Sequence, residues 1–417
     1  MTHFPLPRLT EPAHPVKHYL PLLQPAALLT YLMSFLIGSL YAQTLPTLSV
    51  YIVERYQITP FYLGVFFVSL AASAMTVSQI VGVLSDKGMR RLWLIFAGMV
   101  AGALACAGFA LSAHYWQALA CGVFIYSFSA MTLPQIMAQG REYADQHFAA
   151  QQVPLFNAIL RASFALAWVA GPPIGFYFQH TLGSINHYLS LSIAYLGVGI
   201  MAWFLLPKVQ RAKVKPSKVQ APNVGAPPVS DDNHSGRIPF NLKLGFVACA
   251  ILFGVNHSYI IALPQLLEQH LHIPIYNTGY ILGAAAALEI PIMLLGGWLA
   301  ARLPVLPLVR IGAAAAASLY LGVWLANSLW QLIALQIFNA VFIGFVAGLG
   351  MTWFQDQMPH LTGTASSLFS NAINLGNILG SLLIGLIAAW IGYQHLYLAN
   401  TLCALIAVAL LFFCKNK

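Results

Sequence analysis

Two ionisable side chains, Arg161 and Glu289, lie well inside long apolar stretches of this sequence. A charge in such surroundings is costly unless it is paired or hydrated, so a functional role is the first hypothesis for both residues. A carboxylate that loses a cationic partner can take up a proton, and an arginine can be that partner. Arg161 and Glu289 are therefore candidate residues for proton coupling or gating. In the alternative interpretation, Arg161 extends to lipid headgroups and Glu289 is hydrogen-bonded statically.

Polar side chains on the same apolar stretches are candidates for binding a neutral, hydroxyl-rich ligand. Amides and hydroxyls both donate and accept hydrogen bonds, and an aromatic ring can stack on the apolar face of such a ligand. The candidate binding residues are Tyr126, Gln135, Trp168, Asn256, His257, Asn371 and Asn374. Spacings of three or four residues place Asn371 and Asn374 on one face of a helix. The alternative is that small and polar residues at this spacing pack helices together, with His257 as a hydrogen-bonded packing residue.

The stretches that carry these residues are long enough to cross a membrane. Of the 417 residues, 59% are hydrophobic and 7% are charged, and the mean hydropathy is +0.75. Segments of about 20 apolar residues cross a hydrocarbon core of roughly 30 Å, and without an alternating pattern they predict helices and not a barrel. Twelve spans are predicted, near residues 26–50, 61–84, 92–112, 116–139, 154–178, 187–206, 241–266, 276–299, 305–325, 328–353, 363–389 and 393–413.

Charge distribution predicts the orientation of these spans. Basic residues occur in every even-numbered connection, whereas the odd-numbered connections carry almost none, Arg55 being the exception. The positive-inside rule therefore places both termini and the long central connection in the cytoplasm. This topology accounts for the net charge of +9 and argues against nucleic-acid binding. The five cysteines lack the spacing of metal ligands and are interpreted as packing residues, so no metal and no cofactor is predicted.

The chain is expected to consist of two related halves. Residues 207–240 are rich in Lys, Pro and polar side chains, which is typical of a flexible linker, and they separate 1–206 from 241–417. Strings from the first half recur in order in the second: Leu45-Pro46 as Leu263-Pro264, Val123-Phe124-Ile125 as Val341-Phe342-Ile343, and Asn157-Ala158-Ile159 as Asn371-Ala372-Ile373. We predict an all-α membrane protein, expected to be a monomer, with two six-helix halves related by pseudo-twofold symmetry around a midplane site.

The turn after the second span, from Gly82 to Arg91, resembles the signature loop of the major facilitator superfamily. The resemblance implies the major facilitator fold and a charge cluster, here Asp86 with Arg90, that holds the cytoplasmic side shut. At the corresponding turn after the eighth span, Ala301 occupies the position of the acid. That copy therefore cannot make the same interaction. Major facilitator folds also pack the fifth helix against the eighth, so the resemblance implies that Arg161 and Glu289 lie close together or share a hydrated cavity, with a pairing that changes between conformations.

Other strings resemble the bacterial SET family of sugar efflux transporters within this superfamily. They occur in both halves and in the order found in that family: Arg141-Glu142-Tyr143-Ala144-Asp145, Leu160-Arg161-Ala162, Leu166-Ala167-Trp168-Val169-Ala170-Gly171-Pro172-Pro173, Tyr259-Ile260-Ile261, Leu288-Glu289-Ile290-Pro291 and Phe354-Gln355-Asp356-Gln357-Met358-Pro359. The resemblance implies export of sugars such as lactose or of thiogalactosides across the bacterial inner membrane. Protons are the expected coupling ion. The string from Gly171 to Gly175 also resembles the antiporter motif of drug exporters.

Several alternatives remain open at this stage. A multidrug exporter would favour an apolar, aromatic cavity, and a sugar uptake symporter differs only in coupling and direction. A membrane-embedded enzyme would need catalytic motifs that the sequence lacks. A non-transporting sensor would usually carry a signalling domain, for which residues 207–240 are too short and too polar.

Overall fold

The protein is described by a computed structural model that covers residues 20–86, 89–149, 151–209, 239–359 and 361–415, and its regular elements there are all helical. A short 3₁₀ turn, Leu20–Leu23, precedes the first long helix. The long helices are α1 (Pro25–Tyr56), α2 (Pro60–Asp86), α3 (Arg91–Leu111), α4 (Tyr115–His147), α5 (Val153–Leu182), α6 (Ser184–Leu205), α7 (Phe240–Gln269), α8 (Asn277–Ala300), α9 (Val305–Leu325), α10 (Leu329–Gln357), α11 (Thr362–Leu383) and α12 (Ala389–Phe413).

The prediction of twelve spans is confirmed once a break near the C-terminus is taken into account. By length and composition, the described residues form eleven membrane-spanning helices, the last of which runs for 50 residues from Thr364 to Phe413. At 1.5 Å per residue a straight helix of that length would extend about 75 Å, far more than a bilayer core. Gly392, with φ 82° and ψ 167°, kinks the chain near the start of α12, so these 50 residues form two spans.

The same device joins α5 to α6 in the first half. Gly183 has φ 80° and ψ 154°, a conformation open to glycine because it lacks a Cβ. The starts of α4 and α10 also correspond, because the side chain of Gln117 accepts a hydrogen bond from the His114 N–H and that of Gln331 from the Asn327 N–H. Matching turns of this kind are expected if the two halves share one architecture.

Helices α4 and α10 are interrupted at corresponding places, but in opposite ways. In α4 the segment Tyr126–Met131 tightens into a 3₁₀ helix, whereas in α10 the segment Ile343–Ala347 widens into a π-helix. A second π segment, Ile384–Ala388, follows α11. Such changes of helical period rotate the faces that follow them, so the side chains beyond each break point in new directions.

Glycines set the packing inside each half. In the first half, a Cβ added to Gly38 of α1 would lie 2.9 Å from the Cβ of Ala167 in α5. In the second half, a Cβ on Gly376 of α11 would lie 2.7 Å from the carbonyl oxygen of Ala250 in α7. The backbones of α1 and α5, and of α7 and α11, can therefore approach closely, as expected for helices packed through small residues.

The two halves meet on one side of the bundle. We call the side where α6 ends and α7 begins the linker side, and the opposite side the far side. Near the far side, a Cβ on Gly64 of α2 would lie 2.4 Å from the Cα of Gly385, and one on Gly279 of α8 would lie 2.7 Å from the Cα of Pro173. These contacts join α2 to the π segment after α11, and α5 to α8, the two equivalent pairs across the pseudo-twofold axis.

Toward the linker side the same helices leave more room. Added Cβ atoms on Gly82 of α2 and on Gly297 of α8 would both meet open space. The close glycine contacts between the halves thus lie toward the far side, and from this contrast we infer a bundle closed on the far side and separated toward the linker side.

Candidate functional site

A cavity of about 280 Å³ lies between the two halves, near the middle of α5, α7, α8 and α10. We call it the seam cavity. It is lined by Phe164, Ala165, Trp168, Asn256, Ile260, Leu282, Ala285, Ala286, Glu289, Asn339 and Ile343. Its walls are mostly apolar, and two aromatic rings, two amides and one carboxyl group give it its specific chemistry.

Three of the predicted residues meet in this cavity. Trp168 comes from α5, Asn256 from α7 and Glu289 from α8, so three helices from both halves converge there. On α5, Phe164 and Ala165 precede Trp168 at spacings of four and three residues, which places all three on one helix face. The arrangement can stack a flat apolar surface on Trp168 while offering amide and carboxyl groups from the other side.

Arg161 does not share the seam cavity with Glu289. It is exposed, one helical turn from Ala165 toward the linker side, and it lines a separate cleft of about 580 Å³ with Arg141 and Asn157. The ion pairs within the described residues are Arg91 with Glu142 and Arg141 with Asp145. The expectation of a close pair or a common cavity is therefore not met in this conformation, because the halves separate toward the linker side, where Arg161 lies.

The charge cluster of the first half is built around Arg91. Its Nε atom lies 2.8 Å from Oε1 of Glu142, and a terminal nitrogen donates to Ser85 Oγ and to Gln135 Oε1, both at 3.0 Å. These bonds tie the end of α2 and the start of α3 to α4. Gln135, predicted to bind substrate, instead belongs to this network on the linker side.

Asp86 and Arg90 are the two residues predicted for this cluster. The Asp86 side chain lies outside the described residues. Arg90 is exposed and stands immediately before α3.

Two other candidates lie away from the seam cavity. Tyr126 begins the 3₁₀ segment of α4 and is buried inside the first half, with its ring 5.9 Å from that of Phe109. His257 follows Asn256 on α7 but turns toward α2, where its ring lies 6.4 Å from that of Phe67. His257 therefore contacts the opposite half without lining the cavity.

The two asparagines of α11 also lie outside the residues that line the seam cavity. Asn371 is exposed and Asn374 is half-buried. The helix packs on α7 through Gly376 and Gly380, whose added Cβ atoms would meet the backbone of Ala250 and Gly254. The polar stripe predicted from sequence spacing thus lies on α11 but does not mark the wall of the cavity.

Sequence reasoning missed Asn339, which lines the cavity from α10. It also missed Gln336, one turn earlier, whose side chain accepts a hydrogen bond from Asn339 Nδ2 at 3.1 Å. The available signal was a pair of amides spaced by three residues in an otherwise apolar span.

A further cleft, of about 550 Å³, opens between the halves on the far side. Its lining includes two carboxyl groups and two imidazoles: Glu54 and Glu268 from the ends of α1 and α7, His180 from α5, and His272 from the α7–α8 connection. Glu54 accepts a hydrogen bond from Ser184 Oγ at 3.1 Å. This cleft lies on the side where the halves are closed.

Comparison with known proteins was made on sequence and on fold. The family model described as Major Facilitator Superfamily matches residues 26–370 and, in a second match, residues 244–417. Sugar efflux transporter A of Dickeya chrysanthemi is 36% identical over 85% of this chain and 87% of its own length. Sugar efflux transporter B of Salmonella typhimurium is 35% identical over 88% of this chain and 90% of its own length.

Among solved structures, a mutant form of the nucleoside transporter NupG superposes with a TM-score of 0.74 over 93% of this chain and 99% of its own. At 14% identity, this likeness concerns the fold alone. It agrees with the two halves and the helix arrangement described above.

Proposed function

Because this chain belongs to the sugar efflux transporter family of the major facilitator superfamily, we propose that it exports sugars or sugar analogues by alternating access. The observation that carries the proposal is the seam cavity, where Trp168 faces Asn256, Glu289 and Asn339 between the two halves. Such a site suits a ligand with one apolar face and several hydroxyl groups. The multi-pass membrane fold provides the two halves that must move around it.

In the proposed binding mode, the sugar ring stacks on Trp168 and its hydroxyls bond to Asn256 and Asn339. Hydrogen bonds to amides replace those that the hydroxyls lose when the sugar leaves water. With the halves closed on the far side and separated toward the linker side, the sugar enters from the linker side. Closure there and opening on the far side would release it.

We further propose that Glu289 couples export to a proton gradient. It is a carboxyl group in the seam cavity, and within the described residues it forms no ion pair. An intramembrane carboxyl at a transport site is a natural proton carrier. Arg161, one turn beyond Ala165 on α5, is the proposed partner of Glu289 in the conformation in which the linker side closes.

The proposed topology places the linker side in the cytoplasm of a bacterium and the helices in its inner membrane. The basic side chains Arg90, Arg91, Arg141, Lys208 and Arg302 all lie at helix ends on the linker side. In this topology residues 1–206 and 241–417 are the two halves, residues 207–240 are a cytoplasmic linker, and both termini are cytoplasmic. One chain supplies both walls of the cavity, so we propose that a monomer transports.

The remaining candidates stay predictions. Asp86 and Arg90 are proposed gating residues, and Tyr126, Gln135, His257, Asn371 and Asn374 are proposed substrate contacts that would have to act in another conformation.

A second candidate function, export of amphiphilic drugs, is favoured by one observation. Eight of the eleven residues that line the seam cavity are hydrophobic, among them Phe164, Trp168 and Ile260. An apolar ligand would be stabilised by that surface, whereas the two amides and the carboxyl group would be left without partners.

Accumulation of labelled lactose and of a labelled thiogalactoside, in cells with and without the protein, tests the proposal. Export by antiport predicts lower accumulation in cells that carry the protein and no difference after the proton gradient is collapsed. Unchanged accumulation of every sugar, together with resistance to a cationic drug, would replace sugar export with the second candidate.

A further inference from the structure

Asn339 brings to the seam cavity an amide whose oxygen lacks a hydrogen-bond partner within the described residues. The residue lines the cavity from α10, yet only 6% of its surface is exposed. Its Oδ1 atom is buried and has no hydrogen-bond partner within the described residues. A buried amide oxygen in this state is costly, so a partner that arrives with the substrate would relieve the cost.

The orientation of this amide is fixed by a chain of hydrogen bonds behind it. Gln336, which is fully buried, donates its Nε2 to the carbonyl oxygen of Leu332 at 2.7 Å. Its Oε1 must then face the other way, where it accepts from the Tyr259 hydroxyl at 3.2 Å and from Asn339 Nδ2 at 3.1 Å.

This chain determines which ligand group Asn339 can bind. One N–H of Nδ2 is committed to Gln336, and the atom of the Asn339 amide that lacks any partner within the described residues is Oδ1, an acceptor. A sugar hydroxyl can donate to it, whereas an ether oxygen or a fluorine at the same place cannot. The site would therefore discriminate between positions on the sugar ring by the presence of an O–H group.

We propose that Asn339 is a specificity-determining residue that accepts a hydrogen bond from one hydroxyl of the transported sugar, and that Gln336 and Tyr259 are its positioning residues. This inference rests on the proposed sugar export. It adds to that function a preference for an O–H group at one position of the sugar ring, and it names the residues that produce this preference.

The test compares the parent sugar with its deoxy and deoxyfluoro analogues at each ring position, as competitors of labelled sugar export. In the wild type, both analogues at one position should compete roughly fivefold to tenfold more weakly, because neither can donate the hydrogen bond. In Asn339→Ala, the weaker competition by analogues modified at that position should disappear, whereas analogues modified at the other positions should compete as they do in the wild type. Asn339→Asp, which retains a side-chain oxygen acceptor, should preserve the preference.

Asn400→Ala is the matched control. Asn400 is a fully buried asparagine of α12 in the same half, bonded to Ser258 Oγ at 3.4 Å and outside the residues that line the seam cavity. It should leave every analogue ratio unchanged, whatever its effect on the amount of folded protein. Gln336→Leu should weaken the preference without removing it, because the amide of Asn339 is then free to rotate.

The outcomes separate the inference from the function on which it rests. If the wild type exports sugar and Asn339→Ala keeps the same positional penalty, Asn339 is only a packing residue and the inference is overturned. If Asn339→Ala fails to fold, retention of the preference in Asn339→Asp together with its weakening in Gln336→Leu supports the inference. An unchanged preference in Gln336→Leu contradicts it. Absence of sugar export by the wild type would instead overturn the proposed function.

Discussion

The first half lines the seam cavity with Phe164, Ala165 and Trp168, whereas the second half supplies the two asparagines and the carboxyl group that line it. One wall is therefore aromatic and the other carries the polar groups. A sugar has an apolar ring face and a hydroxyl-bearing edge, and the two walls match these two surfaces. When the halves separate, the sugar loses either its aromatic contacts or its polar contacts in one step. This loss weakens its binding and gives a physical basis for its release.

The halves also differ in how their helices are held together at the linker side. In the first half, the side chains of Arg91, Glu142 and Gln135 form a network. In the second half, Arg310 donates instead to backbone carbonyls at the end of α12, at 3.1 Å to Leu411 and 2.8 Å to Cys414. A cation at the carbonyl end of a helix is favourable without an acidic partner. The guanidinium of Arg310 is thus satisfied without an acidic partner.

The largest expected effect concerns the carboxyl group of the polar wall. Glu289→Gln keeps a side chain of similar size and polarity but cannot carry a proton, so gradient-driven export should fall to the level of vesicles without protein. Exchange of labelled for unlabelled sugar at equal pH should continue. Transport in membrane vesicles with and without an imposed pH gradient measures both.

Asp145→Asn is the control for that experiment. Asp145 forms an exposed ion pair with Arg141 on the linker side, and its loss should leave the gradient dependence intact. Full gradient-driven export by Glu289→Gln would remove Glu289 from the coupling mechanism.

The second prediction contrasts the linker-side contacts of the two halves. Arg91→Ala should destabilise the protein by about 1–3 kcal/mol, because Glu142 and Gln135 lose a shared donor in a partly buried setting. Arg302→Ala, which removes a guanidinium 3.8 Å from the Trp298 ring centroid in the second half, should cost about 0.5–1 kcal/mol. Thermal unfolding of the purified variants in one detergent gives the comparison. Equal losses would contradict the contrast between the halves.

The third prediction concerns the contact that closes the far side. Gly64→Ala puts a Cβ against the backbone of Gly385, and overpacking of this kind costs about 1–3 kcal/mol, so the conformation closed on the far side should become less populated. A cysteine introduced as Ser184→Cys in the far-side cleft should then react faster with an impermeant thiol reagent added outside cells.

Gly297→Ala is the matched control for the far-side contact, because its added Cβ meets open space. Its labelling rate should equal that of Ser184→Cys alone. No acceleration in Gly64→Ala would show that this contact does not hold the far side closed.

The smallest expected effect concerns the aromatic wall. Trp168→Leu should weaken the apparent affinity for sugar about threefold to tenfold, because stacking on an aromatic face is worth roughly 0.5–1.5 kcal/mol, and Trp168→Phe should recover part of it. Trp330→Leu is the control, since Trp330 is 76% exposed near the start of α10. Competition curves for labelled sugar measure the change. Weaker binding of a hydrophobic cation and not of sugar would favour the second candidate function.

Most of the fold could be predicted from the sequence because the bilayer imposes one length and one polarity on every span. Spans predicted near 187–206 and 305–325 correspond to Ser184–Leu205 and Val305–Leu325. The boundary predicted between 389 and 393 is where Gly392 leaves the helical conformation. These features depend on local composition and on one glycine, and both can be read directly from the sequence.

The site was less predictable because the direction of a helix face depends on packing. A stripe such as Asn371 and Asn374 shows that residues share a face, but it does not show which neighbour that face meets. In α4, the 3₁₀ segment Tyr126–Met131 also rotates the helix face between Tyr126 and Gln135. A prediction that assumes a constant helical period therefore gives the wrong relative direction for these two side chains. Three of the predicted residues do line the seam cavity: Trp168, Asn256 and Glu289. Amides and charges are costly in the middle of a membrane helix, so their presence there, with an aromatic ring nearby, favours a functional role.

The central claim is that this protein moves sugar through the seam cavity in exchange for protons. Its most direct test is export of labelled lactose and thiogalactoside by the purified protein in liposomes, with an imposed pH gradient and with Glu289→Gln in parallel. We expect sugar movement that follows the gradient in the wild type and not in the variant. Sugar movement that ignores the gradient in both proteins, or no movement of any sugar, would contradict it.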